Sequence, residues 1–259
     1  MRCPLCQSGS NDLFAQYKDF VVLRCSSCGF RFIDNERADY PKDAQYRYEE
    51  TQIGPIRPDL PHIQRRVRDV LRLRRPPGKA LDIGCGKGEV ALALGAAGFD
   101  SAGEDMKAPL IEQLKIHYPD LQWHKGSAVE IAGLRDRFDV ITLYHVLEHL
   151  SDPVSAMKQI LRLANPGALV VIEVPNVGGL EAKLKGRNWH YYKVDHVSYF
   201  RPCDLRRLAQ MVGLQVVDVR GYQHFSYPQN VLWKDLVKGS LAKLGFRDVL
   251  SIFMMAGDN

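Results

Sequence analysis

Residues 79–98, KALDIGCGKGEVALALGAAG, constrain the fold of this chain more than any other stretch. An apolar run stops at Asp82, three glycines follow at alternate positions (Gly84, Gly86 and Gly88), and a helical pattern of Ala and Leu continues. Glycine permits positive φ angles and close approach of a ligand, and a helix start offers free N–H groups. The segment therefore predicts a buried strand, a ligand-binding turn and a helix. Its G-x-G-x-G spacing differs from the G-x-G-x-x-G of dinucleotide-binding turns, so a nicotinamide cofactor is disfavoured.

The phrase DIGCGKG resembles the first motif of the Rossmann-like S-adenosylmethionine-dependent methyltransferases, and later segments continue the resemblance in order from about Pro61 onward. The resemblance implies an α/β fold with a doubly wound, seven-stranded, mostly parallel sheet. In that family the glycine turn lies under the methionine part of the cofactor. The aspartate at the strand end, here Asp82, helps to hold the ammonium group of the cofactor.

A second acidic position follows the next predicted strand, Phe99 to Glu104. An acidic side chain about twenty residues after the glycine turn can accept hydrogen bonds from both ribose hydroxyls of an adenosine. By register we choose Asp105 over Glu104. After the third predicted strand, Leu121 to His124, the family commonly carries an aspartate for adenine where this chain has Ser127, a weaker acceptor. The residues expected to hold the cofactor are Asp82, Gly84, Cys85, Gly86, Gly88, Asp105, Met106, Ser127, Ala128 and Tyr144.

Two C-x-x-C pairs stand near the start of the chain, Cys3 with Cys6 and Cys25 with Cys28. Four thiolates at this spacing can close a tetrahedral site around zinc, and the short alternating runs around the pairs suit the hairpins of a zinc ribbon. A redox pair would be expected inside a thioredoxin-like βαβ unit, which this pattern lacks. We expect a zinc ribbon at residues 1–35, held together by the metal. The ribbon is either purely structural or presents a surface to substrate or partner.

Residues 36–61 are polar with several tyrosines and prolines, which indicates a linker or a loop that covers the methyltransferase domain at 62–259. An amphipathic helix is expected from His62 to Arg75. One face of it gathers four arginines, Arg65, Arg68, Arg72 and Arg75. That stripe could bind phosphate, although a solvated helix face is the commoner explanation.

Histidines and a carboxylate follow the fourth predicted strand, Phe138 to Leu143, in the phrase RFDVITLYHVLEHLSDP. His145, Glu148 and His149 cluster beyond the carboxyl end of a parallel strand, where doubly wound sheets bind ligands. The phrase resembles the segment beside the transferable methyl group in small-molecule methyltransferases. His149 could act as a general base on an acceptor hydroxyl. The alternative is that these histidines only cap or orient the next helix.

A long aromatic segment at 178–202 follows the fifth predicted strand, Ala168 to Val174. Such a segment at the ligand end of a sheet is a candidate lid or substrate pocket, and His196 within it is a second candidate base. The alternative is an aromatic cluster that merely covers the core. The other predicted elements are a helix at 152–165, a helix at 204–212, a strand at 214–221, a helix at 231–244 and an antiparallel strand at 247–256.

These features predict a methyltransferase that uses S-adenosylmethionine to O-methylate a hydroxyl of a small molecule or of a sugar or glycan intermediate, with the catalytic residues drawn from His145, Glu148, His149 and His196. The nearest alternative is an RNA methyltransferase that binds nucleic acid through the ribbon and the arginine-rich helix. After the fourth predicted strand, the chain has no Asn-Pro or Asp-Pro phrase with a following aromatic, such as the members that methylate base amino groups use, and the H-V-L-E-H phrase favours small molecules. A non-catalytic partner-binding scaffold and C-methylation of a keto sugar are further alternatives.

The amino-acid composition excludes few of these functions. A net charge of +5 does not by itself indicate a nucleic-acid binder. No apolar run approaches the ~18 residues of a membrane span, and the opening Met-Arg-Cys-Pro does not resemble a signal peptide. A cytoplasmic protein is expected, in which the six cysteines are metal ligands or free thiols rather than disulfides.

Overall fold

The computed structural model describes residues 1–34, 55–127, 136–222 and 247–257. Most of the predicted covering loop, Ala128 and the predicted helix at 231–244 lie outside these residues. The strands, in chain order, are β1 (Asn11–Gln16), β2 (Val21–Cys25), β3 (Arg31–Ile33), β4 (Lys79–Ile83), β5 (Asp100–Asp105), β6 (Gln122–Lys125), β7 (Phe138–Tyr144), β8 (Ala164–Pro175), β9 (Ser198–Tyr199), β10 (Gln215–Tyr222) and β11 (Val249–Met255). The α-helices are α1 (Pro61–Leu73), α2 (Glu89–Ala96), α3 (Ala108–His117), α4 (Pro153–Leu161), α5 (Leu180–Lys185) and α6 (Pro202–Met211).

Seven strands form the main sheet in the order β10-β11-β8-β7-β4-β5-β6. The strands from β4 to β8 pair in parallel, and β11 lies antiparallel between β8 and β10. The predicted doubly wound, mostly parallel, seven-stranded sheet is confirmed. So is the antiparallel insertion of the last strand.

Alternate residues of the central strands face two different apolar clusters, as a sheet covered on both sides requires. Leu81 and Ile83 of β4 pack with α4 and α6, whereas Ala80 of the same strand packs with α1 and α2. All three side chains are fully buried. The near-continuous apolar runs of these strands follow from burial on both faces.

One predicted boundary is wrong. The helix expected at 152–165 ends at Leu161, and β8 begins at Ala164 instead of Ala168. Phe138 pairs with Ala164 and Val140 with Leu169, so residues 165–168 bulge out opposite a single residue of β7. Gly167 adopts a φ of +67° in this bulge. The residues Asn-Pro-Gly at 165–167, which predict the end of a helix, instead form a bulge within the strand.

The first three strands form a small antiparallel sheet that gains a fourth strand, β9, from the aromatic segment. Phe30 and Phe32 belong to the same apolar cluster as the helix-covered face of the main sheet, and the Phe30 ring lies 5.2 Å from that of Phe200. Arg201 donates to the backbone oxygen of Cys28 at 2.9 Å. The ribbon is thus packed onto the larger sheet through a shared core.

Among the residues that the structure describes, no helix combines the length and hydropathy needed to cross a membrane.

Candidate functional site

The glycine turn after β4 has three left-handed residues, with φ of +66° at Gly84, +53° at Gly86 and +75° at Gly88. A Cβ on Gly84 would lie 2.4 Å from Val146, and one on Gly88 would lie 2.6 Å from Trp123. A Cβ on Gly86 would meet no described atom within 4 Å. The outer two glycines are therefore required by packing, whereas Gly86 borders open space that a ligand can fill.

Asp105, the last residue of β5, joins the second acidic position to the glycine turn. Its carboxylate accepts hydrogen bonds from the backbone N–H groups of Gly86 at 2.9 Å and Lys107 at 3.0 Å. Neighbouring Glu104 is buried, and burial, followed by the charge of Asp105, raises its pKa to about 7. Both carboxylates are thus buried beside the turn, and Asp105 is hydrogen-bonded to the N–H of Gly86.

Asp82 lies buried in β4 and accepts a hydrogen bond from the hydroxyl of Thr142 at 2.7 Å. Burial raises its pKa to about 7, against the opposing effects of Thr142 and of the nearby Arg66. Tyr144 ends β7, and the Arg66 guanidinium stacks 4.2 Å from its ring centroid. These side chains line the sheet next to the turn.

The remaining predicted cofactor residues surround the same sheet edge. The Cys85 side chain is buried in the apolar cluster with Trp123, and Met106 is 38% exposed. Gly126 donates to the backbone oxygen of Asp105 at 3.1 Å, which brings Ser127 to the end of β6. Ala128 falls outside the described residues.

A buried ionic cluster lies between β8 and α1, and it was not predicted from the sequence. Glu173 of β8 is 1% exposed and accepts hydrogen bonds from Arg66 at 2.6 Å, Arg65 at 2.7 Å and Ser251 at 2.7 Å. Burial alone would raise the pKa of Glu173, but Arg66 and Arg65 lower it to about 2. A single carboxylate within an otherwise apolar strand was the available signal, because such a charge requires cationic partners.

This cluster removes one residue, Arg65, from the predicted arginine stripe. Arg65 is only 16% exposed, and it binds Glu173 and Asp69 instead of facing solvent. Arg72 is exposed and pairs with Asp218 at 3.1 Å. Arg68 and Arg75 are exposed like Arg72, as a solvated helix face predicts, and Arg65 is the exception.

His145, the first residue after β7, has a φ of +59°, which is unusual for a residue other than glycine. Its backbone N–H donates to the backbone oxygen of Glu173 at 2.9 Å, and its Nδ1 lies 3.1 Å from Oε1 of Glu148. Burial would raise the pKa of Glu148, but the hydrogen bond from His145, together with the positive charge that His145, His149 and His196 can carry, lowers it. The strained residue thus orients a buried carboxylate.

The side chains of His149 and His196 lie next to each other although the two residues are 47 positions apart in the sequence. Their ring centroids lie 4.9 Å apart with the planes at 82°. His149 donates from Nδ1 to the backbone oxygen of Asp195 at 2.7 Å, which leaves Nε2 as its lone-pair nitrogen. Burial lowers the pKa of His196 to about 4. The structure thus brings the two candidate bases together with Glu148, within 4.8 Å of one another.

The aromatic segment covers the ribbon more than the main sheet. Trp189, Tyr192 and Tyr199 are buried in one cluster with Phe20 and Val22 of the ribbon. The same segment carries His196 to the site. The aromatic side chains form a small core, as the second alternative predicts. The lid or substrate pocket stays a prediction.

The four ribbon cysteines converge as the C-x-x-C spacing predicts. Cys3 Sγ lies 3.7 Å from Cys28 Sγ, and Cys6 Sγ lies 3.5 Å from Cys25 Sγ. All four thiol sulfurs lie within 4.8 Å of one another. Tetrahedral zinc with Zn–S bonds of about 2.3 Å requires sulfurs about 3.8 Å apart, so the donor set fits this metal.

Comparison with known proteins places the chain in a family. The protein-family model that describes a methyltransferase domain matches residues 59–219 of the chain. The ubiquinone biosynthesis O-methyltransferase of Aromatoleum aromaticum is 30% identical over 56% of this chain and 68% of its own length. That of Methylococcus capsulatus is 32% identical over 55% of this chain and 65% of its own length.

Solved structures share the fold. Magnesium protoporphyrin IX methyltransferase from Synechocystis PCC 6803, solved with bound SAH, has a TM-score of 0.56 at 12% identity, over 76% of this chain and 82% of its own. A SAM-dependent methyltransferase from Archaeoglobus fulgidus has a TM-score of 0.55 at 19% identity, over 75% of this chain and 93% of its own. The chain belongs to the Rossmann-like, S-adenosylmethionine-dependent methyltransferase family.

Proposed function

We propose that this methyltransferase transfers the methyl group of S-adenosylmethionine to a hydroxyl of a small molecule or of a sugar or glycan intermediate. The observation that carries the proposal is the cluster of Glu148, His149 and His196, which lies just beyond the carboxyl end of β7. Val146 within the same loop packs against Gly84 of the glycine turn. Groups able to take a proton therefore stand next to the predicted cofactor position.

The residues of the turn fit the cofactor. Open space beside Gly86 admits the methionine part, and Asp82 is a buried carboxylate available to an ammonium group. Asp105 stands at the sheet edge for the ribose hydroxyls. When bound, S-adenosylmethionine supplies an electrophilic methyl group on a positively charged sulfur. The chain itself contributes alignment of the acceptor oxygen with that methyl group, together with removal of the hydroxyl proton.

His149 is the stronger of the two candidate bases. Its Nδ1–H is fixed by the Asp195 carbonyl, so Nε2 carries the lone pair that can accept a proton. His196, with its pKa lowered to about 4, accepts protons only weakly at neutral pH. The buried Glu148 carboxylate stabilises the positive charge that would form on either imidazole.

The names of the two relatives favour oxygen as the acceptor, since both are O-methyltransferases. The alternative of an RNA substrate has less support, because Arg65 is committed to Glu173 and Asp69. A scaffold without catalysis is disfavoured by the open glycine turn.

The proposal also covers the organisation of the chain. We assign residues 1–35 to a zinc ribbon, in which Cys3, Cys6, Cys25 and Cys28 hold a structural Zn²⁺, and residues 62–259 to the methyltransferase domain. The thiol geometry supports the metal assignment. We also propose a cytoplasmic location, because cysteines that bind a metal or stay free instead of forming disulfides are typical of reducing compartments.

The experiment is a transfer assay with methyl-labelled S-adenosylmethionine and a panel of catechols, hydroxylated sugars and total RNA. We expect label on the oxygen of a small-molecule hydroxyl and at least a 100-fold lower kcat in His149→Ala. His190→Ala is the matched control, because His190 is an exposed histidine of the same segment as His196. Label found only in RNA, or on carbon, would overturn the proposal.

A further inference from the structure

We propose that Glu104 reads the adenine of the cofactor, by accepting a hydrogen bond from the exocyclic amino group of that base. The inference rests on the cofactor placement of the proposed function and not on the acceptor that receives the methyl group. Glu104 has no part in the methyl transfer described above, and its buried carboxyl lacks the partners that such a group requires.

The backbone places Glu104 where the ends of three strands meet. β5 lies between β4 and β6 in the main sheet. The backbone oxygen of Glu104 accepts from the N–H of Cys85 in the glycine turn at 2.8 Å. The next backbone oxygen, that of Asp105, accepts from the N–H of Gly126 after β6 at 3.1 Å. The side chain of Glu104 reaches the same loop, because a Cβ on Gly126 would lie 3.0 Å from its Oε1.

A carboxyl that is buried this deeply normally has hydrogen-bond donors or cations around it. Glu173, a second glutamate buried in the main sheet, binds both Arg65 and Arg66. Glu104 is 2% exposed, its Oε1 is buried, and no group among the described residues donates a hydrogen bond to that oxygen. Burial, followed by the like charge of Asp105, raises its pKa to about 7. The chain therefore keeps an unused acceptor at this edge of the sheet.

The cofactor crosses the strand ends in a direction that leads to Glu104. The proposed function puts its methionine part beside Gly86 and its ribose at Asp105. The glycine turn follows β4 and Asp105 ends β5, so the base continues toward the end of β6. Met106 is 38% exposed and offers an apolar surface to a flat ring. Gly126, which has no side chain, keeps the approach to Glu104 open.

The two groups are chemically complementary. The exocyclic amino group is the hydrogen-bond donor of adenine, whose ring nitrogens accept. An ionised carboxyl only accepts hydrogen bonds. Hypoxanthine carries a carbonyl oxygen in place of the amino group, and that oxygen repels a carboxylate instead of donating to it. At a pH above about 7, Glu104 therefore selects adenine against hypoxanthine. The neutral hydroxyl of Ser127 is a weaker acceptor.

The test is calorimetric titration of the full chain at pH 8.5 with S-adenosylhomocysteine and with S-inosylhomocysteine, in which hypoxanthine replaces adenine. We expect the unmodified chain to bind S-adenosylhomocysteine about tenfold or more tightly than S-inosylhomocysteine. Glu104→Gln preserves side-chain volume and offers an N–H to a carbonyl oxygen, so it should bring the two affinities within about threefold of each other.

Two further variants complete the test. Glu112→Gln, the matched control, alters an exposed glutamate of α3 and should keep the full preference for adenine. Ser127→Ala should change that preference less than about threefold, because Glu104 supplies the stronger acceptor. Thermal unfolding shows that each variant is folded, and the Ser127→Ala result stands even where Glu104→Gln does not fold.

Equal affinity of the unmodified chain for the two compounds would overturn the inference. A preference that survives in Glu104→Gln would overturn it too, even where both compounds bind more weakly by the same factor. Loss of the preference in Ser127→Ala would assign the base to Ser127 instead. A folded chain that binds neither compound contradicts the cofactor placement as well. Absence of transfer to any hydroxyl counts against the proposed function alone, because the preference for adenine is measured without an acceptor.

Discussion

Phe32 in the ribbon pairs with Ser198 in β9, two residues after His196. The pairing is reinforced by the N–H of Ile33, which donates to the oxygen of Val197 at 2.9 Å. Arg31 adds a hydrogen bond to the Tyr192 hydroxyl at 2.8 Å. The ribbon sheet therefore holds the segment that carries His196. Any loosening of the ribbon is expected to change the position of His196 in the candidate site.

Loss of the ribbon metal should loosen this segment. Cys25→Ser removes one of four thiolates, and we expect faster amide hydrogen exchange in β3 and β9 because the ribbon core is too small to hold without metal. Affinity for S-adenosylmethionine should change less than threefold, since the glycine turn lies in the main sheet. The measurements are hydrogen exchange by mass spectrometry and calorimetry.

Cys203→Ser is the control, because Cys203 is an exposed thiol outside the ribbon cluster. It should leave exchange in β9 unchanged. Unaltered protection of β9 in Cys25→Ser would show that the ribbon does not position the segment.

Gly86→Ala should abolish or strongly weaken cofactor binding without unfolding the protein. The added Cβ meets nothing in the described structure, so it enters the space left for the ligand. We expect at least tenfold weaker binding, about 1.4 kcal/mol, by equilibrium dialysis.

Gly213→Ala is a control of the same kind, since Gly213 has a φ of +77° and equally open space around its Cα. Both substitutions should lower the free energy of unfolding by about 1 kcal/mol through backbone strain. Equal cofactor affinity in the two variants would mean that the turn does not hold the ligand.

Asp105→Ala should weaken S-adenosylmethionine at least tenfold, because it removes the proposed ribose acceptor and the hydrogen bond that fixes the Gly86 N–H. Asp100→Ala alters an exposed aspartate at the opposite end of the same strand and should bind normally. Calorimetry measures both. Normal affinity in Asp105→Ala would place the ribose elsewhere, with Glu104 the next residue to test.

Glu173 should contribute to stability in a pH-dependent way. Its pKa is lowered from 4.5 to about 2 in the folded chain, so its contribution is fully present above pH 4.5 and is lost as the pH falls toward 2. The shift corresponds to about 3 kcal/mol. Urea unfolding at pH 7 and pH 3 should show a smaller difference in Glu173→Gln than in the unmodified protein, and Glu173→Gln should be less stable at pH 7. An equal pH response in both proteins would contradict this role.

Local sequence patterns predicted much of the fold. The order of strand, glycine turn and helix around DIGCGKG could be predicted because it depends on residues that are neighbours in the sequence. The same holds for the C-x-x-C pair of Cys3 and Cys6. The bulge at 165–168 was missed because its Asn-Pro-Gly residues look the same whether they end a helix or interrupt a strand.

Contacts between distant residues were harder to predict. Arg66 and Glu173 are 107 positions apart, and nothing in the periodicity of α1 distinguishes Arg66 from a solvated arginine. The pairing of β3 with a two-residue strand is similarly beyond local patterns, since so short a strand has no periodicity. The sequence predicts His149 and His196 separately as candidate bases. Their proximity depends on the pairing of β3 with β9, which the sequence does not predict.

Binding of S-adenosylmethionine at the glycine turn is tested most directly by calorimetric titration of the full chain with S-adenosylmethionine and with S-adenosylhomocysteine. We predict one molecule of either bound per chain, competition between the two, and loss of both in Gly86→Ala with retention in Gly213→Ala. A folded protein that binds neither compound would contradict the assignment of the turn and, with it, the proposed methyl transfer.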